Sequence, residues 1–128
     1  MVTYAGDVSA ADAFVFLNEN DKSVLVDVRS PNEVLILGEP DISQSGKKVL
    51  QISWLSPETM SKNPNFDILL TSNVPNKDSN VFFLCKVGGR SAMAAQTAAS
   101  LGYSKCYNII NGMEEGWKPA GLPWRVAQ

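Results

Sequence analysis

Three short runs constrain this chain more than anything else in it: SVLVDVR from Ser23, VFFLC from Val81 and YNII from Tyr107. Each has strand length and is apolar at successive rather than alternate positions, the pattern of a strand covered on both faces. The segments between them are long enough for helices. Strands alternating with helices predict an α/β fold with a mainly parallel sheet of about five strands and helices on both faces. In such sheets ligands bind beyond the strand C-termini, which directs attention to Asp27, Arg29 and Cys85.

The remaining elements follow from local signals. VTYAG reads as a first strand, and Ser9 as the N-cap of a helix through ADAFVFLNE that places Phe14 and Leu17 on one face and ends at Asn20-Asp21. From Ser30 to Lys48 the text is broken by Pro31, Gly38, Pro40 and Gly46 and predicts irregular chain with one turn of helix around EVLIL. Val49 to Trp54 predicts a further strand, and Ser56-Pro57-Glu58 a helix start that Asn63-Pro64 interrupts. FDILLTSNV gives a short helix and PNKDSN a polar connector. SAMAAQTAASLGY is rich in the best helix former, with Gly102 placed for a left-handed C-cap. The chain closes with a short helix between Gly112 and Pro119, and Trp117 and Trp124 are expected to cover the core.

A length of 128 residues suits one domain spanning 1–128, long enough to bury roughly two-thirds of its unfolded surface without disulfides or metals. No apolar run approaches the ~20 residues of a membrane helix, and the N-terminus lacks the pattern of a secretory signal. A soluble, cytoplasmic protein is the expectation. The net charge of −2 with scattered Lys and Arg offers no basic stripe for nucleic acid.

The absence of histidine removes every Cys-His, Ser-His-Asp and His-ligated metal mechanism at one stroke. Two cysteines remain, Cys85 and Cys106, too few for a zinc site; no metal or other cofactor is implied. Cys106 begins a strand without a glycine loop and reads as a packed thiol. Cys85 is different, because it ends a buried strand and opens the loop Cys85-Lys86-Val87-Gly88-Gly89-Arg90, with Ser91 leading into a helix. Two glycines let successive N–H groups converge, and the helix N-terminus adds its positive end. Helix N-termini and neighbouring Lys or Arg lower cysteine pKa values from about 8.5 into the range ~3.5–7.5. A thiolate held this way is the attacking group in sulfane-sulfur exchange, and a persulfide is one of its reversible states. Lys86 and Arg90 either attract an anionic substrate or are solvated charges, and Arg90 has the further choice of pairing with a carboxylate. Asp27 and Arg29 read as a structural hydrogen-bonding hub.

With these residues in view, CKVGGRS resembles the active-site loop of the rhodanese family. LVDVRSPNE is similar to that family's first signature, an Asp-x-Arg pair with a following acidic residue near the active loop, and YNIINGMEEGWKPAGLPW to its second. The resemblance runs from about Leu25 to Trp124. It implies a sulfurtransferase in which Cys85 takes sulfur from thiosulfate or a similar donor, becomes a persulfide and passes the sulfur to a thiol, cyanide or a carrier protein. Lys86, Val87, Gly88, Gly89, Arg90 and Ser91 would bind the substrate. Two departures are visible: LGEPDISQSGKKVLQISW replaces the glycine- and histidine-containing turn after the first signature, and Val87 stands where many active members have a polar side chain. Two alternatives accompany this reading. One is a redox-sensing or protein-binding module of the same family. The other is a cysteine phosphatase, whose related loops place five residues between cysteine and arginine, where this chain has Lys86 to Gly89.

Overall fold

In the computed structural model, which describes residues 3–127, the chain runs β1 (Gly6–Val8), α1 (Ala10–Glu19), β2 (Ser23–Asp27), α2 (Pro31–Leu37), β3 (Glu39–Pro40), a 3-10 turn (Ser43–Ser45) and β4 (Leu50–Gln51). It continues through α3 (Phe66–Asn73), β5 (Asn80–Leu84), α4 (Gly89–Ser100), β6 (Cys106–Ile109), a π-helical turn (Gly112–Trp117) and β7 (Trp124–Arg125). Five strands form one sheet in the order β1-β6-β5-β2-β4, every pair parallel. The α/β class and the five-stranded parallel sheet are those the apolar runs demand.

Side chains of β5 alternate between two cores. Val81, Phe83 and Cys85 face the layer holding Phe66, Leu70, Ala94 and Ala98 of α3 and α4. Phe82 and Leu84 face Ala13, Leu17, Met113 and Trp117 on the opposite side. Both faces of the central strand are thus dry, which is why its sequence is apolar throughout. Cys85 follows the same two-residue period and is turned toward α4.

The helix ends carry the signals that terminate them. The Ser9 hydroxyl accepts from Asp12 N, as expected of an N-cap. Lys47 reaches the C-terminus of α1, its ammonium donating to the carbonyl oxygens of Leu17 and Asn20. At the end of α4, Gly102 has φ +104°, its N–H donates to Ala99 O, and Tyr103 N–H reaches back to Ala98 O. This double return is a Schellman cap, and only glycine takes its left-handed turn without strain.

Several expectations are corrected. No helix follows Ser56-Pro57-Glu58. Leu55 to Lys62 instead form a hairpin-like turn, closed by an antiparallel bridge between its ends and by Ser56 N–H donating to Ser61 O. The reason is that Glu58 to Asn63 offers Met60 alone as an apolar residue, so a helix there would have no face to bury. Conversely, the segment expected to be irregular contains the two-turn helix α2, fixed by a capping box between Ser30 and Glu33 with Pro31 at its first position. The first strand is Gly6–Val8 rather than VTYAG, whose Val2 lies outside the described residues. The strand expected over Val49 to Trp54 is confined to Leu50–Gln51. Trp117 is fully buried, but Trp124 is half exposed. It sits on β7, which pairs with β3, and its ring packs so closely on Gly38 that a Cβ there would meet it at 2.7 Å.

Candidate active site

Cys85 directly follows the central strand β5, at the C-terminal edge of the sheet, and its side chain is 1% exposed. Among the described residues the sulfur has two hydrogen-bonding contacts. The Gly88 amide donates to Sγ at 3.0 Å, and the Ser91 hydroxyl lies 3.2 Å from it. Ser91 also donates to Asn108 Oδ1 at 2.6 Å, while the Asn108 amide donates to Asp7 Oδ1 at 3.1 Å. Tyr4 hydroxyl donates to the same Asp7 oxygen. The Asp7 carboxylate therefore fixes which way the Asn108 amide points, and the Asn108 oxygen claims the single hydrogen of Ser91. Across the remaining contact the Cys85 thiol must be the donor.

The loop is shaped from outside as well. Gly88, at φ +113°, makes the left-handed turn that ends the loop, whereas Gly89 has ordinary backbone and open space where a Cβ would stand. Of the two glycines, Gly88 is the one the geometry requires. The N-terminal amides of the π-helical turn hold the other side of the loop: Met113 N–H donates to Cys85 O at 2.9 Å and Glu114 N–H to Lys86 O at 3.1 Å. With both carbonyls pulled this way, the amides that follow are left for the opposite side. Among the described residues, those of Lys86, Val87, Gly89, Arg90 and Ser91 donate to no acceptor within the protein. The close approach depends on Gly112, where a Cβ would fall 2.4 Å from Cys85 O and 2.5 Å from Lys86 O.

Lys86 and Val87 are exposed at the rim. Arg90 is committed elsewhere, its fork pairing with both oxygens of Glu33 at 2.6 and 2.8 Å. The Arg90 guanidinium, aided by the Ser30 amide, holds the Glu33 carboxyl at about 2 despite the opposing effect of burial. Glu33 in turn raises Arg90, with smaller contributions from Cys85 and Asp27. Of the two roles open to Arg90, pairing with a carboxylate is the one seen. Ser91, at 0% exposure, backs the sulfur from inside the protein.

Asp27 and Arg29 form the structural hub. Arg29 is fully buried, pairs with both oxygens of Asp27 and donates to Gly38 O, tying the end of β2 to the entry of β3. Its carbonyl accepts from Gln51 and Ser53. Cys106 is buried, its thiol donates to backbone carbonyls, and burial pushes it up, all marks of a packed residue.

Three residues of this arrangement were not singled out from the sequence: Asn108, Gly112 and Asp7. A polar Asn inside the apolar run YNII was the available signal for the first, since a buried amide needs partners.

A cysteine cradled at the end of the central strand of a parallel sheet can be compared with known proteins. The family described as STR4 middle domain matches residues 5–128. The chain belongs to the rhodanese-like family. It is 35% identical over 125 residues to Uncharacterized protein RP600 of Rickettsia prowazekii, covering 93% of this chain and 96% of that one. Among solved structures it is similar to the crystal structure of Rv0390 from M. tuberculosis, with TM-score 0.86, 33% identity and coverage of 98% and 100%. The polysulfide-sulfur transferase homodimer from Wolinella succinogenes is a second, with TM-score 0.73, 29% identity and coverage of 93% and 77%. Among the described residues of this rhodanese-like chain, no helix is long and apolar enough to cross a membrane.

Proposed function

We propose that this rhodanese-like chain is a sulfurtransferase that carries sulfane sulfur on Cys85. The supporting observation is the setting of Sγ, 3.0 Å from the Gly88 amide, in a loop whose Lys86, Val87, Gly89 and Arg90 amides have no acceptor among the described residues. In the proposed reaction the Cys85 thiolate attacks the outer sulfur of thiosulfate or a similar donor. A new S–S bond forms, the donor S–S bond breaks, and the leaving sulfite keeps the electron pair. The amides of Val87, Gly89 and Arg90 receive the negative charge on the outer sulfur, preorganised where charge develops. Exposed Lys86 draws anionic donors to the rim. An acceptor thiolate or cyanide then attacks the outer sulfur and releases the Cys85 thiolate. The sulfur transfer for which the Wolinella neighbour is named agrees with this reading.

Phosphate-ester hydrolysis is a poorer fit, because Arg90 is engaged by Glu33 and four residues rather than five separate it from Cys85. The test is turnover: with thiosulfate, polysulfide and mercaptopyruvate as donors and cyanide or dithiothreitol as acceptor, wild type and Cys106→Ser should transfer sulfur and Cys85→Ser should not. Transfer by Cys85→Ser, or none by wild type with any donor, overturns the proposal.

A further inference from the structure

Between the start of α2 and the Leu55–Lys62 turn lies a cleft of about 370 Å³, within the range that admits a small organic molecule. Pro31, Leu55, Pro57 and Met60 give it apolar walls, and the Glu33–Arg90 pair gives it a polar one. Arg90 belongs both to this cleft and to the loop of Cys85, so the cleft adjoins the sulfur-carrying loop. Lys86, the other cation of the loop, is not part of its lining.

We infer that this cleft receives the sulfur acceptor, that the acceptor is a thiol with an apolar body and no charge near its sulfur, and that Glu33 is the residue that sets this preference. The inference rests on the sulfur-transfer reading above. Its basis is that the one cation in the cleft is already neutralised: both nitrogens of the Arg90 fork face both oxygens of Glu33, and the same carboxylate also accepts from Ser30 N–H. An anionic thiol entering would shed water and find no free countercharge, whereas an apolar one loses nothing of the kind. In the transfer step the acceptor thiolate attacks the outer sulfur of the Cys85 persulfide. The R–S bond to that sulfur forms, the S–S bond to Cys85 breaks, and Cys85 leaves as thiolate with the electron pair, so atoms and charge balance.

The experiment is single-turnover discharge. Protein is loaded with sulfur, freed of donor, and mixed with benzyl mercaptan or with mercaptosuccinate, rates being compared per concentration of thiolate. Wild type should discharge roughly tenfold or more faster to benzyl mercaptan, a ratio within the reach of pocket discrimination. Glu33→Gln, which leaves the Arg90 charge uncompensated, should speed mercaptosuccinate about tenfold by electrostatic attraction, and the double variant with Arg90→Ala should lose that gain. Equal rates in wild type, or a faster dianionic thiol, overturn the inference even if Glu33→Gln does not fold. Unchanged discrimination in a folded Glu33→Gln overturns the role of Glu33. A wild type that cannot be loaded by any donor is seen before a thiol is added, and overturns the sulfur-transfer reading and this inference with it.

Discussion

Replacing Gly112 by alanine probes how the active loop is held. Its φ of +59° is a left-handed conformation that costs an L-residue roughly 1–2 kcal/mol. The added Cβ would lie 2.4 Å from Cys85 O and 2.5 Å from the carbonyl carbon and oxygen of Lys86, all backbone atoms that cannot rotate aside. Relief requires the π-helical turn to move off the loop, and the bonds from Met113 and Glu114 to those carbonyls go with it, at about 1 kcal/mol each. The total is about 3–4 kcal/mol, or roughly 10 °C in Tm for a domain of this size. Thermal unfolding by circular dichroism measures it, with Gly46→Ala as control. Gly46 has φ +77° but nothing within 4 Å of the new Cβ, so that variant carries only the backbone cost of about 1–2 kcal/mol. If Gly112→Ala melts no lower than Gly46→Ala and takes up sulfur at the wild-type rate, the turn does not position the loop.

Three further expectations follow from the site. Glu33→Gln should destabilise by about 2 kcal/mol at neutral pH, allowing for solvent screening of a quarter-exposed pair. Because folding lowers this carboxyl from 4.5 to about 2, the difference from wild type should be full above pH 4.5 and shrink as pH falls towards 2, which urea unfolding across that window would show. Ser91→Ala leaves Asn108 Oδ1 buried without its donor, so a loss of about 1–3 kcal/mol is expected; an unchanged urea midpoint would contradict the network. Gly88→Ala should lower stability by about 1–2 kcal/mol because of its positive φ, whereas Gly89→Ala should stay within about 0.5 kcal/mol of wild type; equal melting temperatures for the two would contradict the loop geometry.

Much of this fold is legible in the sequence for a physical reason. β2 and β5 are covered on both faces, so their apolar runs announce them, and the alanines of α4 announce a helix packed closely on the sheet. What was not legible depends on partners distant in the chain. Pairing of Glu39–Pro40 with Trp124–Arg125 leaves no local pattern, being two residues long on each side. The helix α2 did carry a local signal, the Ser30-Pro31-Asn32-Glu33 capping box, but Gly38 and Pro40 close behind it read as breakers. At the site the loop of Cys85 is visible as a motif, and the carboxylate that takes Arg90 lies in the first signature. The polar Asn108 inside an apolar run signals a buried amide that needs partners, but its partners Asp7 and Ser91 are not legible, because they lie on β1 and α4, which only the sheet order brings beside β6.

The most direct measurement asks which cysteine stores the sulfur. Wild-type protein is incubated with a sulfane-sulfur donor, freed of it, alkylated and digested, and the peptides are weighed by mass spectrometry. One added sulfur atom per chain, all of it on Cys85 and removed by cyanide, is the expected result, because Cys85 Sγ accepts from the Gly88 amide of a glycine loop, whereas the Cys106 thiol donates to backbone carbonyls and is pushed up by burial. Sulfur found on Cys106, or on neither cysteine after every donor, would contradict Cys85 as the carrier.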